Sequence, residues 1–343
     1  MSERKLASIR KISSIASIEG ADRIIAYQVD GWWVVDSKDK YQVGDLVVYI
    51  EPDAFVPTEL ASFLSKGKEP REYLGIKGEK LRTIRLKGQL SQGLLLPLSV
   101  LGNPEETFAI TDDSIGADVT EQLGILKWEA PIPAQLAGQV KGNFPSNVIK
   151  PDAERVQNLV REIAKWDVEG VDWEVTEKIE GTSFTAGIIN GEFIVCSRNV
   201  NLKEDETNLY WKIAREYDIE AKLRGLMLDN VVIQGEIYGM GVQGNIYNLQ
   251  QTYLGIFTVQ KNGQYVSPIV RQNIISEMKL PTAPVLNNAW KIDGKSVDDI
   301  LKMADGFSVL GTQGVLREGL VFKSADGKHI WKAVSNKYLE KQK

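Results

Sequence analysis

The stretch Lys178-Ile179-Glu180-Gly181-Thr182-Ser183 decides how this chain is read. It closes a strand-like run at 171–176 and sets a lysine two residues before a carboxylate and three before a glycine. A lysine amine is a covalent nucleophile once its pKa is lowered or a cation neutralises its surroundings. Without that activation it stays an ammonium at neutral pH, with a reference pKa of ~10.4. The bare pattern K-x-E-G also arises on surface hairpins. Its meaning therefore depends on whether the rest of the chain supplies phosphate-binding cations and metal-binding carboxylates.

Composition narrows the chemistry. At 343 residues the chain exceeds a single typical domain, so two are expected. A hydrophobic content of 43% and a charged content of 25% match soluble globular proteins. No apolar run approaches the ~20 residues that span a bilayer, and the N-terminus lacks a signal-peptide core. The expectation is a cytoplasmic protein with no membrane association and no obligate protein partner. Cys196 is the only cysteine, which excludes an intrachain disulfide and a Cys-rich zinc site. His329 is the only histidine, so a His-based metal cluster is excluded too. No G-x-S-x-G accompanies it to make a serine triad. Lys, Arg, Asp, Glu or a bound cofactor must carry any reaction.

The net charge of −5 argues against indiscriminate nucleic-acid binding, but charge is uneven. Between 66 and 87, Lys66, Lys68, Arg71, Lys77, Lys80, Arg82, Arg85 and Lys87 face only Glu69, Glu72 and Glu79. A local patch of this kind matters more than the total for a polyanion. A solvated loop with long charged side chains is the plain alternative.

Residues 1–125 read as short β-prone runs (24–29, 32–35, 46–50, 81–86 and 94–96) cut by Gly31, Gly44-Asp45, Gly88 and Gly93. This predicts a small barrel of the OB type, a fold that commonly binds single-stranded nucleic acids. Pro131, Pro133, Gly138, Gly142 and Pro145 mark a linker at 126–145. In the second domain, 146–343, Asp152 is expected to cap a helix carrying Val156, Leu159, Val160 and Ile163 at helical spacing. Beyond 171, strand-like runs mix with helical periodicity around 208–226, 268–280 and 296–304. Hairpin signals such as Asn190-Gly191 favour antiparallel pairing. The predicted class is α+β: an OB-type barrel followed by a domain of antiparallel sheets with flanking helices.

Four features join the lysine. Ser197-Arg198 ends a strand and offers a guanidinium fork for ribose or phosphate. Gly235-Glu236-Ile237-Tyr238-Gly239 follows an apolar run. Glu318-Gly319-Leu320-Val321-Phe322-Lys323 comes next, then Lys332 and Lys337 in Trp331-Lys332-Ala333-Val334-Ser335-Asn336-Lys337. In this order the five resemble the motifs of the covalent nucleotidyltransferases, namely ATP-dependent RNA and DNA ligases and mRNA capping enzymes. They span nearly all of the second domain. The barrel-side segments 18–23, 31–32 and 43–49, with the entry segment 144–158, resemble the Naegleria-type RNA ligases. Those carry the OB module ahead of the nucleotidyltransferase domain, as here.

The resemblance implies a reaction and roles. Lys178 attacks the α-phosphorus of ATP, the AMP passes to an RNA 5′-phosphate, and a 3′-OH displaces it to close the phosphodiester. Lys332 contacts the α-phosphate. Glu180 and Glu318 hold a hydrated divalent cation, Mg2+ or Mn2+, that favours the neutral amine of Lys178. Arg198 and Glu236 contact the ribose, Phe257 stacks on the adenine, and Arg155 engages phosphate of ATP or RNA. Two departures stand out. Family ligases often end K-x-K, whereas Lys332 is followed by Ala333-Val334, leaving Lys337 to fill the second cationic role. Glu180 stands where Asp is common, which changes reach by one methylene between two hard oxygen donors.

The same sequence admits other readings. Gly239-Met240-Gly241-Val242-Gln243-Gly244 matches a dinucleotide fingerprint, but a loop and strand follow where a helix is required. Gly314 to Gly319 has Walker spacing with Leu320 in the lysine position. Trp32-Trp33 offers base stacking or barrel core. The functional alternatives are a DNA ligase, a capping guanylyltransferase, or a non-catalytic RNA-binding protein with a vestigial second domain.

Overall fold

A computed structural model of the chain describes residues 4–102, 110–129 and 137–341. They divide into two compact units. One holds the described residues up to Glu129 together with Gln157–Val160; the other holds those from 137 to 156 and from Arg161 onward.

In the first unit, five antiparallel strands lie in the order Leu94–Leu96, Leu46–Ile50, Ala7–Ala16, Ile24–Val29, Trp32–Ser37. A second sheet runs Leu126–Lys127, Ala54–Pro57, Ile76–Lys80, Arg71–Tyr73. Alternate side chains point to opposite faces of a strand. Trp32 and Val34 therefore turn inward beside Tyr27 and Tyr49, while Trp33 is half-buried. Together these strands make an OB fold, as the turn spacing predicts. The run 81–86 is not one strand. Backbone bonding to Ala54 ends at Leu81, and the exposed strand Ile84–Leu86 turns away to pair with Gln89–Ser91. The segment Gln157–Val160 is held here by polar bonds. Gly31 N–H donates to the Gln157 carbonyl at 2.9 Å, and the Trp32 indole donates to Asn158 Oδ1 at 2.6 Å. Asn158 in turn donates to Glu51, a buried carboxylate that also pairs with Arg4.

The second unit contains two sheets. The larger runs Val140–Asn143, Val200–Leu202, Glu192–Cys196, Thr182–Ile189, Val231–Gly239, Thr252–Lys261, Gln264–Tyr265. The smaller runs Glu154–Arg155, Ile330–Val334, Gly319–Ser324, Trp173–Lys178, Val285–Trp290. Their link in sequence is the stretch quoted first. Lys178 is the last residue of a strand in the smaller sheet, and Thr182 the first of a strand in the larger.

Each sheet has one apolar and one polar face. In the larger, Phe184, Ala186 and Ile188 pair with Gly235, Ile233 and Val231. This side is covered by helices Leu209–Glu216 and Ile219–Gly225 to form the main core. The opposite side carries Ser183, Thr185, Gln234 and Glu236. In the smaller sheet, Trp173, Phe322 and Trp331 are fully buried on one side. Phe322 stacks on Trp331 with centroids 3.8 Å apart, and Trp166 of helix Val160–Glu169 meets Trp173 edge-on at 5.0 Å. Alternation then sends Glu174, Thr176 and Lys178 to the other side.

Local periodicity misplaced two elements. The helix expected from Asp152 begins only at Val160, because Glu154–Arg155 is drawn into parallel pairing with Trp331 and Lys332. Asp152 lies ahead of that strand and pairs with Arg198 at 2.7 Å. The helical stretch 208–226 is two helices, broken where Asp218 takes a left-handed φ of 52°.

Candidate active site

The strand Trp173–Lys178 pairs residue by residue with Gly319–Ser324, so that Lys178 lies opposite Gly319 and Thr176 opposite Val321. Val321 lies opposite Lys332, which lies beside Arg155. Directly paired residues share a face, so Arg155, Lys332 and Lys178 are brought to one side of one sheet. Arg155 was expected on a helix; it is a buried strand residue.

Glu318 immediately precedes Gly319. Its carbonyl accepts from Ser335 N–H at 2.9 Å, and its carboxylate meets the Lys178 ammonium, Oε1 to Nζ, at 2.5 Å. Gly319 permits the close approach of the neighbouring strand Ile330–Val334. A Cβ there would lie 2.3 Å from the Ala333 carbonyl oxygen.

The larger sheet supplies the remaining groups. Glu180 lies in the crossing, where its backbone N–H donates to the Tyr247 hydroxyl at 2.7 Å. Burial raises the Glu180 carboxyl above its usual range, and the negative charge of Glu318 adds to this. Glu236 is paired with Ser183 and Gly255 across the sheet. Burial pushes its carboxyl up to about 8; Glu318 and Glu180 reinforce the shift, while Lys178 and Arg198 oppose it. Lys178, Glu180, Glu236, Glu318 and Arg198 thus share one electrostatic neighbourhood. Arg198 itself is exposed and pairs with Asp152. The strap carrying Asp152 is fixed across the polar face by Gln234 and Gln260, whose amides both donate to the Ile149 carbonyl at 2.8 Å.

Phe257 is half-buried on Thr252–Lys261, packed against the small cluster of Ile179, Tyr238, Tyr247 and Ala283. Lys337 is exposed at the start of helix Asn336–Lys341, where its backbone N–H donates to Asp305. Its place follows the helix start and not the sheet face that carries Lys332. The register position two past Lys332 belongs to Val334, buried opposite Gly319.

Two sets of residues escaped the sequence reading. Glu177 points away from Lys178 and accepts from Ser308 Oγ and from Val309 N–H, anchoring the loop before Glu318. Glu174, Arg271 and Lys323 form a buried ionic group below Phe257. Its place on the same strand face as Val321 and Gly319 was the available signal for Lys323.

Among the described residues no group of three or more His, Cys, Asp or Glu converges as a ready metal cage. The donor set near Lys178 nevertheless fits a hard cation. The negative charge of Glu318 adds to the cost of ionising the Glu180 carboxyl, which a bound cation would relieve, and carboxylate oxygens suit Mg2+ or Mn2+.

This geometry can be set beside known proteins. An OB-fold domain profile matches residues 6–98, and the RNA ligase profile matches residues 171–338. A Naegleria gruberi RNA ligase solved with pyrophosphate is 40% identical, with 99% of each chain covered and a TM-score of 0.88. A variant of the same ligase without ligand is 40% identical at a TM-score of 0.89, covering 100% of this chain and 99% of the other. A third, a variant with ATP and manganese, is 39% identical over 98% of this chain and 99% of its own, with a TM-score of 0.88. The chain belongs to the RNA ligase family. A comparison with curated proteins gives no match. Both domain types and their order agree with the expectation drawn from the motifs. Among the described residues, no helix of this RNA ligase is long and apolar enough to cross a membrane.

Proposed function

We propose that this RNA ligase is ATP-dependent and joins RNA 3′-OH and 5′-phosphate ends through a lysyl-AMP intermediate on Lys178. The observation that carries the reading is the ion pair of Lys178 with Glu318 on the sheet face shared by Lys332 and Arg155. A nucleophilic lysine, a carboxylate and two cations meet there, where a triphosphate would be cleaved.

In this reading Lys178 Nζ attacks the α-phosphorus in line and pyrophosphate leaves, forming a P–N bond. The AMP then passes to the 5′-phosphate of RNA. A 3′-OH attacks that phosphate and releases AMP. Each step builds negative charge on phosphoryl oxygens, so fixed cations are the main catalytic resource. Lys332 and Arg155 serve the phosphates, and Arg198 and Glu236 the ribose hydroxyls. Phe257 serves as the nucleobase platform. Glu180 and Glu318 would hold a divalent cation, which when bound neutralises phosphate charge and favours the amine form of Lys178. The related ligases captured with ATP and manganese, with AMP and manganese, and with pyrophosphate correspond to reactant, product nucleotide and leaving group of the first step.

The test is direct. Incubation with α-phosphate-labelled ATP and Mg2+ or Mn2+ is expected to leave an acid-labile label on the denatured protein, absent in Lys178→Ala. A label from GTP alone would move the protein to the capping class, and no label with any divalent metal would sink the covalent mechanism.

A further inference from the structure

A β-bulge interrupts the larger sheet beside Glu236. Gln234 pairs with Thr258 and Gly235 with Ile256, which leaves Phe257 as the extra residue. Bulges release a residue from the ladder and re-aim it. The Phe257 carbonyl is captured from outside the larger sheet. It accepts from Lys323 Nζ and, at 3.1 Å, from Arg271 Nη1. Lys323 also sits over the Phe257 ring, 5.7 Å from its centroid.

These donors are themselves locked. Arg271, on helix Pro268–Glu277, makes a two-pronged pair with Glu174 at 2.7 and 2.6 Å, and Gln272 adds a bond to the same carboxylate at 2.8 Å. Glu174, Arg271 and Lys323 are 2%, 2% and 5% exposed. Burying three ionisable groups is costly unless each is satisfied. Nothing in the reaction described above uses them. Glu174 and Lys323 are paired across the smaller sheet, on the same two strands that end in Lys178 and begin at Gly319. The group therefore ties the bulge of one sheet to the two strands that present Lys178 and Glu318.

We infer that Lys323, with Arg271 and Glu174 behind it, is a positioning residue that fixes Phe257 for the nucleobase of the bound nucleotide, and so sets nucleotide affinity from below the platform. This rests on the reading of Phe257 as the nucleobase platform. Either protonation state of the Lys323 amine can donate to a carbonyl. Burial and the adjacent Arg271 lower its pKa to about 7, which places little obligatory charge beneath the ring.

The test is a double-mutant cycle on auto-adenylylation in the full chain, with ATP and with a ribose triphosphate lacking the base. Lys323→Met removes the donor at nearly constant shape. It is expected to raise KM for ATP about five- to tenfold, with kcat nearly unchanged, the cost of one hydrogen bond. The base-less triphosphate should show no such rise, and Lys323→Arg should restore affinity for ATP. In a Phe257→Ala background the added effect of Lys323→Met should vanish. A full Lys323→Met effect in that background, or an equal effect on the base-less analogue, overturns the inference. If Phe257→Ala alone leaves KM for ATP unchanged, the platform reading fails and takes the inference with it. Should Lys323→Met not fold cooperatively, Arg271→Gln removes the other donor and is read by the same cycle.

Discussion

At the scale of single residues, the site is a balance between one ammonium and three carboxylates. Lys178 is paired with Glu318, while Glu236 is pushed up to about 8 by burial and by its acidic neighbours. A carboxyl that keeps its proton near neutrality can both donate to and accept from a ribose hydroxyl. It also leaves a signature in stability. Where a folded-state pKa lies above the unfolded value, the unfolded chain loses its proton first, so stability falls as pH rises between the two. For Glu236 that window runs from the ordinary value of 4.5 to about 8. The ligand-free protein is therefore expected to lose thermal stability from pH 5 to pH 8, and Glu236→Gln should flatten part of that slope. Glu177 and Glu180 are shifted in the same direction and remain in the variant, so the difference between the two curves isolates Glu236. Parallel curves would mean that Glu236 is ionised throughout.

At the scale of elements, the decisive object is the crossing from one sheet to the other at Ile179–Gly181. Gly181 is required there by space. A Cβ would lie 2.2 Å from the Ile237 carbonyl oxygen and 2.9 Å from Glu236 Cγ. Gly181→Ala is expected to cost about 1–3 kcal/mol in chemical denaturation, as overpacking does. The displaced crossing should also lower the rate of adduct formation well beyond what the stability loss explains. Native stability with a native rate would show that the crossing has room to yield. This element was legible in the sequence because lysine, carboxylate and glycine lie within four residues. Glu236, Glu318 and Lys332 were legible for the same reason, each set in a short ordered motif. The supports were not. Arg155 sits in a strand because of parallel pairing with Lys332, a partner that local periodicity cannot register. Glu174, Arg271 and Lys323 come from two strands and a helix, and each alone reads as a solvated charge. Only tertiary burial makes them one object. Lys337 is near Lys332 in sequence, but the intervening residues leave the strand at Val334 and begin a helix.

At the scale of the whole molecule, charge is used in two ways. In the second unit, cations such as Lys178, Arg198 and Arg271 are partnered with carboxylates. In the OB-fold unit the basic stretch is mixed. Arg71 pairs with Glu79, Lys77 with Glu69 and Lys80 with Asp53. Arg82 and Lys87 are exposed and form no ion pair with any described residue. They flank a hairpin strand whose Ile84 and Leu86 are 47% and 36% exposed, which sets apolar surface beside positive charge. Single-stranded nucleic acid is held by that combination, cations along the backbone and flat or apolar groups against the bases. Neither cation belongs to the sheets that carry Lys178. Substituting Arg82→Ser and Lys87→Ser together should therefore leave adenylylation of Lys178 unchanged and weaken sealing of RNA. The dependence of RNA binding on salt should also become shallower, by about 0.7 in the log–log slope for each lost phosphate contact on a single strand. Gel-shift titrations at several salt concentrations, run beside adduct and sealing assays, separate the two steps. Equal loss of adenylylation and sealing, or an unchanged salt slope, would remove this hairpin from the RNA path.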